Sequence, residues 1–156
     1  MKIAFFKAKN GTWIDKFIAI WTGFGPYSHC FILDEDIEYS ASGFEKGVYR
    51  KKFINPIEFC DFIDLEEINQ KLTTTTNPNY DFLYKFYNLT KHTKYDWVGI
   101  FLKFFFNKHN FNDKYYCSEW CGNVLQGIFN NQLKFLYIHG SPNRLYKQLS
   151  NFLKNK

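Results

Sequence analysis

Residues 2–8 form a mostly apolar run that stops at an Asn10-Gly11 turn and predict an opening strand. Thr12 with Asp15 three residues on resembles a capping box. Trp13, Phe17, Ile20 and Trp21 follow at helical spacing and predict a helix. A loop bearing Gly and Pro, residues 22–26, leads into residues 27–33, which are dense in strand formers. Asp34-Glu35-Asp36 reads as an acidic hairpin tip, and residues 37–42 as the returning strand. After a turn at 43–47, residues 48–54 alternate apolar and basic positions. Pro56 breaks the pattern, and residues 57–65 read as a further strand. Consecutive strands of this kind predict an antiparallel sheet.

The second half of the chain turns helical. Residues 66–72 predict a short helix, and the polar, threonine-rich residues 73–79 predict a mobile linker. Helices are predicted over 81–91, 96–106 and 118–129, with a loop at 107–114 and a short apolar stretch at 132–137. Ser141-Pro142 places a cap residue before a first-turn proline, and Leu145, Leu149 and Phe152 continue that last helix. No internal repeat is visible. Strands followed by helices over 156 residues describe a single α+β domain, residues 1–156, with the sheet packed against helices.

Aromatic residues make up 22% of the chain, so the core is expected to be built from rings, whose polar tips need partners. The net charge of +5 is carried mainly by lysine, since arginine occurs only at Arg50 and Arg144. The one basic cluster, Arg50-Lys51-Lys52, reads as a solvated face, and no nucleic-acid partner is expected. The four cysteines show no disulfide framework spacing and are read as reduced, which makes the cytoplasm the expected compartment of synthesis. The apolar part of the N-terminus is too short for a secretion signal, and residues 97–106, interrupted by Lys103, are too short for a transmembrane segment.

Two short motifs carry chemistry. Tyr27-Ser28-His29-Cys30 puts an imidazole near the start of a buried strand, and Tyr116-Cys117-Ser118-Glu119 puts a thiol at the start of a helix. A thiol among the unpaired N–H groups of a helix N-terminus, with an imidazole beside it, is an activated cysteine nucleophile. Glu119 is read as serving the helix N-terminus rather than a reaction. His29, Cys30, Cys117 and Cys121 have the donor types of a zinc site. Adjacent strand residues should face opposite ways and the helical spacing is not a knuckle, so no metal and no other cofactor is expected.

With these motifs the chain resembles the circularly permuted branch of the papain-like, NlpC-type cysteine hydrolases. That group includes YiiX-like amidases, relatives of lecithin retinol acyltransferase and many small phage-encoded proteins. The resemblance is carried by Tyr27-Ser28-His29, by Tyr39-Ser40-Ala41-Ser42 through Gly47-Val48, by Tyr95-Asp96-Trp97, by Tyr116-Cys117-Ser118-Glu119 and by Ser141-Pro142-Asn143-Arg144-Leu145-Tyr146. It implies a permuted papain-like fold in which the cysteine helix lies C-terminal to the histidine strand. It also implies a hydrolase, of cysteine peptidase or amidase type, that cleaves an amide bond through Cys117 and His29. The implied substrate is a peptide, peptidoglycan-like in the first instance, and a phage-encoded source would make the protein virion-associated.

The group that orients the imidazole stays open at this point. The family pattern matches Ser40. Glu38, two residues earlier on the same strand face, is chemically better suited, and Asp96 is a third option. Tyr27, Tyr116 and Trp120 are expected to line the substrate cleft because they adjoin the motifs. Two alternatives accompany the hydrolase: a non-catalytic virion structural or interaction module with virion protein partners, and a lipid acyltransferase or thioesterase. The second would use Phe104-Phe105-Phe106 as an acyl or membrane contact, against the plainer reading of a helix end packed on the core.

Overall fold

A computed structural model describes residues 1–21, 25–72, 77–97, 114–136 and 140–155. Among these residues the chain is α+β. It has strands β1 (Lys2–Lys7), β2 (Tyr27–Asp34), β3 (Ile37–Ser42), β4 (Gly47–Lys52), β5 (Cys60–Asp64), β6 (Lys94–Tyr95) and β7 (Lys114–Tyr115). Its helices are α1 (Trp13–Trp21), α2 (Leu65–Leu72), α3 (Asp81–Thr90), α4 (Cys117–Ile128) and α5 (Pro142–Lys154). The strands form one sheet in the order β5-β1-β2-β3-β4-β6-β7.

The expected antiparallel sheet is in fact mixed, because β6 and β7 pair in parallel at Lys94↔Lys114 and Tyr95↔Tyr115. Parallel neighbours need a long crossover, and the chain between Tyr95 and Lys114 has the length for one. The strand predicted over 57–65 begins as a 3-10 turn at Ile57–Phe59 and becomes extended only at Cys60. The helix predicted over 96–106 lies, from residue 98 on, outside the described residues, as do Phe104-Phe105-Phe106 and residues 73–76 of the predicted linker.

Two capping signals take the form read from the sequence. Thr12 N–H donates to Asp15 Oδ2 at 2.8 Å, and Asp15 N–H donates back to Thr12 Oγ1 at 3.4 Å. Ser141 Oγ accepts from Arg144 N–H at 3.3 Å, with Pro142 in the first turn of α5. The apolar stripe of α1 is turned outward, however: Trp13 is 75% exposed and Ile20 55%. Asp15 accepts from Ser28 Oγ of β2 at 3.1 Å, and that bond holds the Asp15 side of the helix toward the sheet.

The alternation along the strands sorts side chains onto two faces. Ile3, Phe5, Cys30, Ile32, Tyr39, Ala41 and Val48 meet Trp120, Val124, Leu125 and Ile128 of α4 and Leu145 and Leu149 of α5 in the main core. A smaller cluster of Ala4, Phe31 and Cys60 lies on the other face, flanked by Phe6 and Phe62. Helix α4 is held close to α3 at Gly127, where any Cβ would run into the ring of Phe82. Its first turn is tied by Ser118 Oγ, which donates to the Gly140 carbonyl at 2.6 Å. The start of β2 is clamped by Asn143, which accepts from Tyr27 N–H and donates to the Tyr27 carbonyl, both at 2.9 Å. The Cys-bearing and His-bearing elements are thus both fastened near the N-terminal end of α5.

Candidate active site

Strand β2 is bonded to β1 over six pairs, from Lys2↔Leu33 to Lys7↔Tyr27, with a register shift between Phe6 and Lys7. Its ladder to β3 covers only three pairs, Ile32↔Tyr39, Leu33↔Glu38 and Asp34↔Ile37. In an antiparallel ladder, the N–H and C=O of one residue point to the same neighbour, and alternate residues serve alternate edges. Ile32 and Asp34 serve the β3 edge, so Cys30 does too, and the next partner along β3 would be Ala41. That pair is not formed.

Other groups take its place, as buried backbone polar groups require. The Cys30 carbonyl accepts from Ser40 Oγ at 2.7 Å and from the Cys121 thiol at 3.6 Å. The Cys30 N–H and the Cys30 thiol are both close enough to the sulfur of Cys117 to act on it. Cys117 is the first residue of α4 and is only 4% exposed. Its sulfur is therefore a neighbour of the stretch of β2 where the ladder to β3 stops. From that position it touches both His29 and Cys30, although the two are neighbours on one strand. His29 and Cys30 do face opposite ways, His29 into the groove with Phe31 and Cys30 into the main core, and Cys117 is a neighbour of both.

The electrostatics follow from this packing. The hydrogen bond from the Cys30 thiol, together with the charge and hydrogen bonding of His29, holds the Cys117 thiol well below its ordinary pKa against the opposing effect of burial. Burial pulls the His29 imidazole down. Cys117, by charge and hydrogen bond, and the carboxylates Glu38 and Asp15 more than offset it, so His29 sits above its usual value. The pair is thereby biased toward thiolate and imidazolium. Burial, and then its bonds to Cys117 and Cys121, pushes Cys30 well up, and burial pushes Cys60 up to about 12. Helix α4 adds the positive end of its dipole at the Cys117 end.

His29 Nε2 lies 3.1 Å from Tyr49 Oη of β4, and the two rings are near parallel, at 17° with centroids 6.4 Å apart. With Nε2 engaged there, Nδ1 is the nitrogen left for the thiol. Tyr49 in turn feels the carboxylate of Glu38, which is 3% exposed and pairs with Lys51 Nζ at 3.4 Å. An open groove of about 260 Å³ runs along this face, lined by His29, Glu38, Tyr49, Asp15, Phe31 and Trp97 among others.

The structure thus brings Cys117 and His29 together and puts Glu38 beside Tyr49 in the groove wall. Ser40 is buried, and its hydroxyl is spent on the Cys30 carbonyl, away from the imidazole. Asp96 follows β6, where its N–H donates to the Tyr115 carbonyl at 3.1 Å. The three expected cleft residues are in the core. Tyr27 packs on Phe5 and Tyr146 and donates to Asp61 Oδ2 at 2.6 Å. Tyr116 is buried, and Trp120 is fully covered, with its indole N–H on Thr90 Oγ1 at 3.0 Å. Among the described residues, no three His, Cys, Asp or Glu side chains are arranged to hold a metal.

Sequence reasoning missed Tyr49 and Cys30 as neighbours of the pair, and it read Asp15 only as a cap. A signal for Tyr49 was present. A turn over 43–47 sets the register Ser42↔Gly47, which brings Tyr49 opposite Ser40 on the face of Glu38. Comparison of the chain with family models, with curated proteins and with solved structures finds no match.

Proposed function

We propose that the chain is a cysteine hydrolase of amidase or endopeptidase type, a permuted papain-like enzyme in which the nucleophile's helix follows the histidine's strand. The observation that carries this reading is the pair itself: a Cys117 thiol at the first turn of α4, lowered by Cys30 and by His29 beside it. The Cys117 thiolate attacks the carbonyl carbon of an amide. The C–N bond breaks as His29 gives its Nδ1 proton to the departing amine, and a thioester is left on sulfur. Water then attacks the thioester, with neutral His29 taking its proton, and the acid is released as the thiol re-forms. The backbone N–H of Cys117, at the helix start, is available to the oxyanion. The substrate class is a peptide amide, with peptidoglycan stem peptides first by resemblance.

The test is competitive alkylation with iodoacetamide near neutral pH, mapped by peptide mass. Cys117 is expected to label well ahead of Cys30, Cys60 and Cys121, and His29→Ala to remove the advantage. Equal labelling at the four cysteines overturns the enzyme reading and leaves a non-catalytic module on the same scaffold. Among the described residues no helix is long and apolar enough to cross a membrane.

A further inference from the structure

We propose that Tyr49 is the positioning residue of the His29 imidazole and that it relays the buried Glu38 carboxylate to it. The inference rests on the cysteine-hydrolase reading and deepens it. A histidine that must swing neither away from the thiol nor into the other tautomer needs an acceptor at its far nitrogen. Neither Ser40 nor Glu38 hydrogen-bonds to that nitrogen. Ser40 is turned to the Cys30 carbonyl. Glu38 acts on His29 and on Tyr49 through its charge, and Lys51 stands against both Glu38 and the Tyr49 ring. Tyr49 Oη, 3.1 Å from Nε2, is the group in place.

The donor order is forced by the chemistry. A carboxylate can only accept, so the Tyr49 O–H is turned toward Glu38. The Tyr49 oxygen is then free to accept from Nε2–H, which puts the mobile proton on Nδ1, facing sulfur. Burial and the nearby carboxylate hold the phenol well above its ordinary pKa, so the hydroxyl keeps its proton throughout the working range. The ring itself is clamped. It lies near parallel to the imidazole on one side, and Lys51 Nζ stands 4.9 Å from its centroid. Lys51 also bonds Glu45 at 2.6 Å and Glu38 at 3.4 Å, which fixes the carboxylate end of the relay.

Several charged or titratable groups face His29: Cys117 from α4, Asp15 from α1, Glu38 from β3 and Tyr49 from β4. Lys51 and Glu45 complete the groove wall. Of these, Tyr49 is the group that hydrogen-bonds to Nε2, so removing the phenol oxygen isolates its contribution.

The experiment is the pH profile of Cys117 alkylation in the full chain, read beside the melting temperature. Tyr49→Phe keeps the ring and the stacking. Its acid limb is expected to move up by about one pH unit, with an unchanged rate on the alkaline plateau. Glu38→Gln is expected to move the limb the same way but less, and to add less in a Tyr49→Phe background than alone, the mark of one group acting through another. A Tyr49→Phe limb that stays put while His29→Ala moves it overturns the relay and leaves the hydrolase. A wild-type limb at the ordinary thiol position overturns both. NMR titration of the His29 ring in wild type and Glu38→Gln reads the same quantity if Tyr49→Phe does not fold. An identical His29 pKa in the two proteins overturns the relay.

Discussion

The two edges of β2 are built from similar residues and do different work. Toward β1 the strand is laddered over six pairs, and toward β3 over three. On the closed edge, backbone satisfies backbone and the side chains only have to pack: Ile3 and Phe5 of β1 are fully buried. On the open edge, the groups of Cys30 that a sheet would pair are met instead by Ser40, Cys121 and Cys117. The open edge therefore fixes a sulfur with a backbone N–H that any other strand would have spent on its neighbour. An incomplete ladder is one way to aim a strong, rigid donor at a helix N-terminus without a special loop. The closed edge keeps that gap from spreading.

The comparison breaks most sharply at the nucleophile. Cys117→Ala is expected to abolish amide hydrolysis and adduct formation at α4 while the protein stays folded, as seen by circular dichroism and thermal melting. Unfolding of that variant would mean that the open edge is held together by the thiol. His29→Ala comes next. Without the cation the Cys117 pKa rises, so the acid limb of its alkylation moves to higher pH, and hydrolysis falls by about a hundredfold or more. The sign follows from the directions of the shifts: Cys117 is lowered and His29 raised, so the reactive thiolate persists well below the ordinary thiol range. Labelling that needs the pH of a free thiol in the wild-type protein would remove the distinction between the edges. On the closed edge, Ile3→Ala is expected to cost about 2–5 kcal/mol of stability in urea unfolding. The labelling profile of the folded fraction should be unmoved.

Local signals were legible where they depend on neighbours in the chain. The Thr12–Asp15 and Ser141–Pro142 caps, the hairpin around Glu35 and the start of α4 at Cys117 all lie within a few residues of what determines them. Alternation also put Glu38 and Ser40 on one face. Alternation could not say which of the two hydroxyl or carboxyl groups is spent elsewhere, because the Ser40 bond to Cys30 depends on a gap in pairing between strands. Tyr49 was hidden for a related reason. It reaches His29 across β3, and within its own strand it looks like one more ring in an alternating pattern. Strands as short as β6 and β7 have no period to read, so the parallel pair was invisible. Trp120 was assigned to the cleft by closeness in sequence, but at the third position past Cys117 on a buried helix the core claims it.

Ser40 gives the finest division between the edges. The family pattern offers it as the group that orients the imidazole. Its hydroxyl instead donates to the Cys30 carbonyl at 2.7 Å, and the remaining donor there is the Cys121 thiol at 3.6 Å. Ser40→Ala leaves that buried carbonyl with only a weak sulfur donor, a loss of about 1–3 kcal/mol. In a chain of this size that lowers the melting temperature by several degrees, about 2–4 °C per kcal/mol. The pH at which Cys117 labels at half its maximum rate should not change, since the hydroxyl does not face His29. Should Ser40→Ala instead shift that midpoint as His29→Ala does, with little change in melting, then Ser40 orients the ring, and the open edge carries the third member of the site inside the ladder gap rather than across it on β4.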